Sequence, residues 1–476
     1  MFFFFDQSNP TLSSMAFETY VINVMRDYLL EQGKTLYSTS NRDMFDATLP
    51  DGIDDIPGPV YLEIKSAFSN KSGYFRSVER FALQAREAEI GALLIILGTE
   101  FTEEGKNSIV RLAQSRAKRK VYVWDIGDFN EKTQRFQSKY MDFQESPAKA
   151  IVDDVINNQF TSEDAEKAKK YLLSTLKKKY QNEELTLFLG AGVSIDAGIP
   201  LWKDLINSLL SEMILRRTKD KQDELLAEHL NEIINLAYRN QEDSPITQMR
   251  YIRGAFDTAE YNQLVHSVLY NKVPRTNTKL LNALAKICTP RRNHIGVQGV
   301  VTYNFDDLLE RKLKQQKVAT NTISTEQDTT ILDKLSIFHV HGYMPQRYDK
   351  SDEHAELIFS EEDYHKIYRD AYCWSNIVQL NYLRESTCLF IGCSLTDPNL
   401  RRLLDVATRN NEKPRHYAFL RRNNLSHSEN VNPEALNFYK SIDLSLREKY
   451  YATMGLNIIW IDEFEEIPHI LNSLIE

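Results

Sequence analysis

The second half of the chain contains polar residues placed where strand-like apolar stretches end. Asn304 and Asp306 follow one such stretch, His341 follows a second, and Ser394 follows a third. An amide, a carboxylate and an imidazole are groups that can orient a substrate and move protons. Each has an ordinary structural explanation when taken alone, because Asn and Asp often cap a following helix and a His before Gly often stabilises a turn. Their order along the chain favours a shared site.

A glycine-rich turn precedes these residues. The segment GAGVS at 190–194 follows the apolar stretch 185–189 and comes before a helix-like segment at 202–213. Glycines lack the Cβ atom that would obstruct a pyrophosphate, and a following helix directs backbone N–H groups at it. Such a turn can also simply close a tight corner, so the motifs that accompany it decide its meaning.

The stretches that carry these motifs alternate with helical segments, which predicts an α/β fold with a doubly wound parallel sheet. The carboxyl ends of its strands border the ligand crevice, so we expect Asn304, His341 and Ser394 to converge on whatever the GAGVS turn holds. Strand alternation is expected to point His339 to the opposite side. The predicted strands are 185–189, 299–303, 336–340, 387–391, 416–420 and 456–461, with a helical insertion at about 215–290.

The first part of the chain predicts a separate, smaller α/β domain at residues 1–145. Pro147 and the lack of an apolar period indicate a linker at 145–160, so the second domain covers 161–476. The strands expected in the first domain are 35–37, 60–64, 92–97 and 120–124, and the expected helices are 14–32, 75–88 and 103–118.

Composition limits the classes of protein to which the chain can belong. Its 476 residues carry a net charge of −9 and are 42% hydrophobic, as in folded globular domains. No apolar run approaches the roughly 20 residues that cross a bilayer, and the first residues lack the basic start of a secretion signal. We therefore expect a cytoplasmic protein without membrane association. The four cysteines form no Cys-x-x-Cys pair, which argues against zinc.

The ordered motifs resemble the NAD-contacting motifs of the sirtuin superfamily. The pieces GAGVSIDAGIP, TYNFDD, HGY and FIGCSLTD match in order over about residues 165–476. The resemblance implies a sirtuin-like Rossmann-type domain with NAD as substrate. It implies that Asn304 positions the attacking water or ribose hydroxyl, that Asp306 accepts from the nicotinamide amide, and that His341 is the general base. The residues implied around NAD are Gly190, Ala191, Gly192, Ser194, Pro200, Thr302, Gly392, Ser394 and Asp397.

Departures from the family pattern favour NAD hydrolysis over deacylation. Sirtuin deacetylases usually carry a four-cysteine zinc module between the His-Gly motif and the last Gly-x-Ser strand, whereas residues 343–390 contain only Cys373 and Cys388. Tyr303 stands where the family has Gln, and Leu-Trp-Lys follows Gly-Ile-Pro where Phe-Arg is usual. The chain is thus more similar to the sirtuin-like domains of bacterial anti-phage proteins, which hydrolyse NAD. An NAD-dependent deacylase and a non-catalytic NAD or ADP-ribose sensor are the alternatives.

The first domain resembles PD-(D/E)xK nucleases of the Mrr restriction-endonuclease type over residues 14 to about 125. In the segment LPDGIDDIPGPVYLEIK, the resemblance implies that Asp54 and Glu63 hold Mg²⁺ and that Lys65 stabilises the nucleophile or the phosphorane. A Glu-x-Lys pair on a strand is also commonly an exposed ion pair. The alternative metal ligands are Asp51 and Asp55, and further matching polar positions are Glu18 and Gln84.

An NAD hydrolase free in the cytoplasm would kill its host, so its activity needs a gate. Defence relatives use oligomerisation or a trigger-bound partner, and some assemble with a HerA-type hexameric ATPase that translocates DNA. We therefore expect a homo-oligomer, with a HerA-type ATPase as a candidate partner. Residues 1–150 have no excess of basic over acidic side chains, so binding of DNA to this domain needs such help. The domain is expected either to cleave DNA or to act as a scaffold.

Overall fold

The computed structural model divides into two compact units. The first contains residues 1–174, 408–414 and 423–457, and the second contains residues 175–407, 415–422 and 458–476. The expected linker at 145–160 lies largely outside the described residues, and its position stays a prediction. The described residues are 10–38, 45–66, 75, 78–79, 81–83, 91–140, 152, 155–156, 162–217, 229, 245–347, 357–408, 414–423 and 432–476.

A five-stranded sheet forms the centre of the first unit. The strands are β1 (Tyr37–Ser38), β2 (Ala47–Leu49), β3 (Val60–Lys65), β4 (Ala92–Leu97) and β5 (Val121–Trp124). They stand in chain order across the sheet. The first three pair antiparallel, whereas β3, β4 and β5 pair parallel.

Both faces of this sheet are covered. The helices are α1 (Pro10–Glu31), α2 (Glu103–Ala117) and α3 (Ile126–Gln137). Val60, Leu62 and Ile64 of β3 belong to one apolar cluster with side chains of α1 and α3. The residues of α2 form a second cluster with Leu93, Ile95 and Leu97 of β4. Because side chains alternate along a strand, Glu63 and Lys65 lie on the opposite face of β3 from α1.

The second unit is built on a seven-stranded sheet. The strands are β6 (Leu185–Leu189), β7 (Val300–Thr302), β8 (Thr320–Ile323), β9 (Leu335–His339), β10 (Thr387–Ile391), β11 (His416–Arg421) and β12 (Leu456–Ile461). Their order across the sheet is β12-β11-β10-β6-β7-β9-β8, with parallel pairing from β11 through to β8. After β6 the chain adds β7, β8 and β9 on one side of that strand, and later β10, β11 and β12 on its other side. The topological switch point therefore lies between β6 and β10.

Helices connect these strands, and none that the structure describes is long and apolar enough to cross a membrane. Part of the predicted helical insertion is helical, although most of 218–244 lies outside the described residues. The helix α13 (Pro433–Thr453) belongs to the first unit, where it packs against α1. The others are α4 (Ser162–Gln181), α5 (Trp202–Arg217), α6 (Pro245–Gly254), α7 (Thr258–Leu269), α8 (Lys279–Cys288), α9 (Leu308–Gln315), α10 (Glu361–Arg369), α11 (Trp374–Glu385), α12 (Pro398–Thr408) and α14 (Glu466–Ile475).

The predicted parallel sheet of the second unit is confirmed. The bounds of β4, β6, β10 and β12 agree with those predicted. Sequence reasoning missed β2 and β8, because three or four residues of mixed polarity give no clear period. It also missed α3, although Asp125 and Asp128 form a capping box that marks its start.

The turns after β6 and β10 touch backbone to backbone at the switch point. The Gly192 amide donates to the Gly392 carbonyl at 3.0 Å, and the Gly190 amide donates to the Ile391 carbonyl at 3.0 Å. A Cβ on Gly192 would lie 2.7 Å from the Gly392 Cα, and Gly392 itself has a φ of +68°. Gly190 and Gly192 are therefore required by the contact between the turns, whereas sequence reasoning assigned them to the approach of a pyrophosphate.

This contact predicts that Gly192→Ala destabilises the second unit. The added Cβ meets backbone atoms that cannot rotate away, and overpacking of this kind costs about 1–3 kcal/mol. Urea unfolding should show an earlier transition for the variant. Gly254→Ala is the matched control, because a Cβ there meets nothing within 4 Å. Coincident transitions for Gly192→Ala and the wild type would mean that the two turns do not need this approach.

Candidate functional site

A chain of hydrogen bonds connects the polar residues at the carboxyl ends of β6 and β7. Asn304 Nδ2 donates to Ser194 Oγ at 3.1 Å, and Ser194 Oγ donates to Asp306 Oδ2 at 2.8 Å. The backbone amide of Asn304 donates to Thr302 Oγ1 at 3.1 Å. The structure thus brings together Ser194, Thr302, Asn304 and Asp306, four of the residues that the resemblance implies, and the bond to Ser194 fixes the direction in which the Asn304 amide points.

Asp306 is held by bonds inside the protein. Its Oδ2 accepts from Ser194, and its Oδ1 accepts from the Leu308 amide at 3.1 Å. Burial raises the pKa of Asp306 to about 6, although the bonds from Ser194 and Leu308 act in the opposite direction. Because both oxygens already accept hydrogen bonds, Asp306 here orients Ser194 and Asn304. The nicotinamide contact implied by the resemblance would need the bond to Ser194 to be exchanged.

His341 lies in an aromatic environment after β9. The rings of Tyr303 and Tyr364 meet its imidazole edge-to-face, with centroids 4.9 and 5.9 Å away. Its Nε2 has no hydrogen-bond partner among the described residues, and Asp397 Oδ2 lies 3.9 Å from it. Burial lowers the pKa of His341 more than the Asp397 carboxylate raises it. The imidazole is therefore neutral near pH 7 and able to accept a proton.

Asn304 also carries a buried polar atom that the described part of the chain leaves unsatisfied. Its Oδ1 has no hydrogen-bond partner there. The side chain lines a small cavity at the carboxyl ends of β6 and β7, which has polar and apolar walls. The other polar residues of that lining are Ser194, Thr302, Asp306, Glu310 and His339.

The remaining residues predicted around NAD lie in the two turns, and their backbone amides are largely engaged. The amides of Gly190 and Gly192 donate to the turn after β10, and the Ser194 amide donates to the Ala191 carbonyl. The helix expected to direct amides at a pyrophosphate begins only at Trp202, after a one-turn 3-10 helix at Ala191–Val193. Partly exposed Pro200 ends the first turn.

Two of the residues predicted around NAD have side chains in the turn after β10. One is exposed, and the other is hydrogen-bonded within the protein. Ser394 is exposed and its hydroxyl contacts Thr396 Oγ1 at 2.6 Å. Asp397 accepts from the Leu400 amide at 2.7 Å and, through its second oxygen, from the Tyr364 hydroxyl. Asp397 therefore caps the start of α12 and holds Tyr364 beside His341, which is a positioning role.

Sequence reasoning placed His339 on the opposite side from His341 and assigned it no role, and the cavity lining includes His339 but not His341. His339 lines the same cavity as Asn304, and its Nδ1 lies 2.9 Å from the Asn304 carbonyl. Its Nε2 lies 2.6 Å from Glu310 Oε1. Glu310 was missed altogether, because an acidic residue in the first turn of a helix is also an ordinary helix-stabilising feature.

In the first unit, Glu63 and Lys65 form a buried ion pair. Lys65 Nζ lies 2.5 Å from Glu63 Oε1, and the two side chains are 4% and 3% exposed. The exposed surface pair, which was the ordinary structural alternative, is therefore wrong. Removing two charges from water costs several kcal/mol per ion, so stability alone does not explain the pair.

Asp54, the favoured metal ligand, is engaged in the turn before β3, and a different aspartate lies beside that strand. Asp54 lies in the turn before β3, where its carboxylate accepts from Tyr28 at 2.6 Å and from Lys132 at 3.0 Å. Asp46 Oδ2 instead accepts from the Ile64 amide at 2.6 Å, and the register of β2 on β3 places Asp46 opposite Glu63.

The other candidates of the first unit do not gather around the ion pair. Asp51 accepts from Thr35, and Asp55 is exposed. Glu18 lies in α1, which covers the opposite face of β3, and Gln84 lies outside the described residues. No group of three or more His, Cys, Asp or Glu side chains suited to a metal ion occurs in the described ranges.

The raised pKa of Asp306 predicts a pH-dependent stability. Between about pH 4 and 6 the folded protein keeps a proton that the unfolded chain releases, so the free energy of unfolding falls as pH rises through this window. Asp306→Asn removes this effect. Relative to wild type, the variant should gain roughly 2 kcal/mol of stability between pH 4.5 and 7, measured by urea unfolding. A constant difference between the two proteins would contradict the pKa shift.

Comparison with known proteins agrees with the architecture of the second unit. Residues 298–445 match the family model described as a SIR2-like domain. Three curated relatives are named NAD(+) hydrolase ThsA. The Enterococcus faecium protein is 23% identical over 316 residues, which are 64% of this chain and 58% of the relative. The Bacillus cereus protein is 24% identical over 312 residues, 62% and 55% of the two chains.

The third relative, from Acinetobacter baumannii, is 23% identical over 320 residues, 65% of this chain and 56% of its own. The chain thus spans little more than half the length of each of these relatives. Over that length it is similar to proteins named NAD(+) hydrolases, and residues 298–445 are similar to a SIR2-like domain.

Proposed function

We propose that the second unit hydrolyses NAD to nicotinamide and ADP-ribose in the crevice at the carboxyl ends of β6, β7, β9 and β10. The observation that carries this proposal is a pair of buried polar atoms, Asn304 Oδ1 and His341 Nε2, without a hydrogen-bond partner among the described residues. They follow the adjacent strands β7 and β9. A buried polar atom is costly unless something satisfies it, and a bound substrate would do so. The similarity to NAD(+) hydrolases indicates which substrate.

The two atoms supply the groups that hydrolysis needs. Ser194 holds Asn304 Nδ2, which leaves Oδ1 to accept a hydrogen bond from the attacking water or from a ribose hydroxyl. Neutral His341 takes a proton from that group through Nε2. The bond between ribose and nicotinamide breaks through an oxocarbenium-like state, nicotinamide leaves as a neutral molecule, and water becomes the new hydroxyl of ADP-ribose.

The surroundings of His341 favour a small acceptor over a peptide. Tyr303 and Tyr364 lie against two sides of the imidazole, and Tyr303 is fixed by a bond from its hydroxyl to Gln379 Oε1 at 2.6 Å. Two aromatic rings thus occupy space next to the imidazole, and a water molecule needs less of that space than an acyl-lysine side chain does. This supports NAD hydrolysis over deacylation.

We further propose that the protein is a cytoplasmic effector of anti-phage defence that is active only when assembled. Uncontrolled hydrolysis would deplete NAD in its own cell, so an inactive resting state is required. A homo-oligomer is the simplest gate, and a HerA-type ATPase is the candidate partner. These proposals rest on the resemblance of the motifs to defence sirtuins.

A second, metal-dependent activity is supported by the first unit. Its antiparallel-then-parallel sheet presents the buried Glu63–Lys65 pair beside Asp46. Two carboxylates could hold Mg²⁺ through oxygen, and a neighbouring ammonium could stabilise the charge that develops on a phosphodiester. In this proposal Asp46 takes the place of Asp54, whose carboxylate is engaged by Tyr28 and Lys132.

The NAD proposal predicts that Asn304→Ala and His341→Ala lose NAD turnover while they keep their fold. Each variant removes an orienting or proton-accepting group, so kcat should fall on the order of 10²-fold or more. Chromatography of nicotinamide and ADP-ribose measures this, with circular dichroism as the test of folding. His469→Ala, an exposed histidine of α14, is the matched control. Turnover at the wild-type rate in both site variants would exclude this site.

The nuclease proposal predicts that Lys65→Ala and Asp46→Asn abolish Mg²⁺-dependent DNA cleavage and leave NAD turnover intact. Each removes a group next to Glu63, and neither is near the NAD motifs in sequence. Gel analysis of plasmid and linear DNA, with and without EDTA, measures the loss. Asp54→Asn distinguishes the two assignments, because it should still cut if Asp46 is the ligand. Cleavage that persists in EDTA would contradict the metal mechanism, and no cleavage of any DNA would favour the scaffold.

A further inference from the structure

His339 and Glu310 form a buried pair directly behind Asn304. His339 Nε2 lies 2.6 Å from Glu310 Oε1, and the two side chains are 1% and 11% exposed. The other ring nitrogen, Nδ1, lies 2.9 Å from the Asn304 carbonyl oxygen. A carbonyl oxygen and a carboxylate can only accept hydrogen bonds, so both ring nitrogens must donate. With Glu310 ionised, this arrangement makes His339 an imidazolium.

The surroundings of His339 are consistent with a positive charge. The acidic groups that face it are Glu310 from α9 and Asp306 from the turn before α9. The ring of Tyr343 meets its imidazole at 4.5 Å between centroids. Although burial lowers the pKa of His339, the Glu310 carboxylate, the Asn304 carbonyl and Asp306 raise it above its ordinary value.

The pair holds the turn that carries Asn304 from both of its ends. Asn304 follows β7, and Glu310 lies in α9, six residues later in the same segment. His339, the last residue of β9, contacts the main-chain carbonyl of Asn304 and the side-chain carboxylate of Glu310. Displacing the turn by even a fraction of an ångström would move the Asn304 amide.

We propose that His339, as an imidazolium held in place by Glu310, is a positioning residue. It orients the Asn304 amide, which in turn positions the group that attacks NAD. This inference rests on the proposed NAD hydrolysis and goes beyond the residues assigned to it. In this proposal His339 contacts neither NAD nor the attacking water. It acts through the Asn304 carbonyl, and the reaction itself uses Asn304 and His341.

Loss of the His339 proton would break the arrangement in a defined direction. The proton that remains would stay on Nε2, because the Glu310 carboxylate accepts it strongly. Nδ1 would then present a lone pair to the Asn304 carbonyl, and the two acceptors would repel each other. Turnover should therefore fall as pH rises through the pKa of His339. The fall at low pH has a separate cause, which is protonation of His341.

The test compares two amides of different length at position 339 in the full chain, with its activating partner if one is needed. An Asn side chain places its NH₂ near the position of Nδ1, whereas Gln places it near Nε2. We expect His339→Asn to keep kcat within about tenfold of wild type and His339→Gln to lose about 10²-fold, with KM for NAD little changed.

Glu310→Gln tests the charge. This variant keeps an acceptor for Nε2 but removes the anion, so the alkaline limb of the pH–kcat profile should move about one unit or more toward lower pH. The acid limb should stay in place. Glu361→Gln and His365→Asn, in the partly exposed pair of α10, are the matched controls.

The outcomes separate the two levels of the proposal. Absence of NAD turnover from the wild-type protein, alone and with every candidate activator, contradicts the proposed function, and the positioning role falls with it. Wild-type turnover together with equal kcat for His339→Asn and His339→Gln contradicts only the positioning role. So does an alkaline limb that Glu310→Gln leaves unmoved, which a purely structural pair would give.

Discussion

The backbone contact between the turns after β6 and β10 determines how the rest of the second unit can bind a ligand. Gly190, Gly192 and Gly392 permit an approach that any Cβ would prevent. This closes the switch point of the sheet and engages the amides of Gly190 and Gly192 inside the protein. A glycine-rich turn is usually read as a row of free amides for a pyrophosphate. Here the glycines join two turns, so more of the task of holding a ligand falls to side chains.

Burial favours a fixed hydrogen-bond network among those side chains. Ser194, Asn304 and Asp306 are linked in one direction, from amide to hydroxyl to carboxylate. In a medium of low polarity each such bond is stronger than in water, and an unpaired atom is correspondingly costly. The network satisfies one side of the Asn304 amide and leaves the other side unsatisfied among the described residues. The same burial that stabilises the bonds therefore makes that atom a good place for a polar ligand.

Several features of the site could be predicted from sequence because they depend on local patterns. Apolar runs identify β6 and β10, and the ends of β7 and β9 identify Asn304, Asp306 and His341. The partner of each polar group could not be predicted, because it depends on how distant segments pack. Asp306 turns inward to Ser194, which is 112 residues away in the chain. In the first unit, β2 is too short to be recognised in the sequence. Its register on β3 nevertheless brings Asp46 rather than Asp54 beside Glu63.

The clearest example of this limit is a pair of histidines two residues apart. His339 ends β9, His341 follows it, and both are buried. The sequence pattern assigns only His341 to the His-Gly motif, but it does not indicate the charge of either ring. Packing separates them. Glu310 and the Asn304 carbonyl raise the pKa of His339, whereas the aromatic surroundings of His341 leave burial as the dominant effect and lower its pKa. One strand end therefore carries a histidine with a raised pKa beside a histidine with a lowered pKa. Environments that push two neighbouring pKa values apart allow one site to hold both states at the same pH. For the proposed hydrolysis of NAD this division is useful, because the raised pKa favours the charged form of the group proposed to orient Asn304, while the lowered pKa favours the neutral form of the group proposed to take the proton.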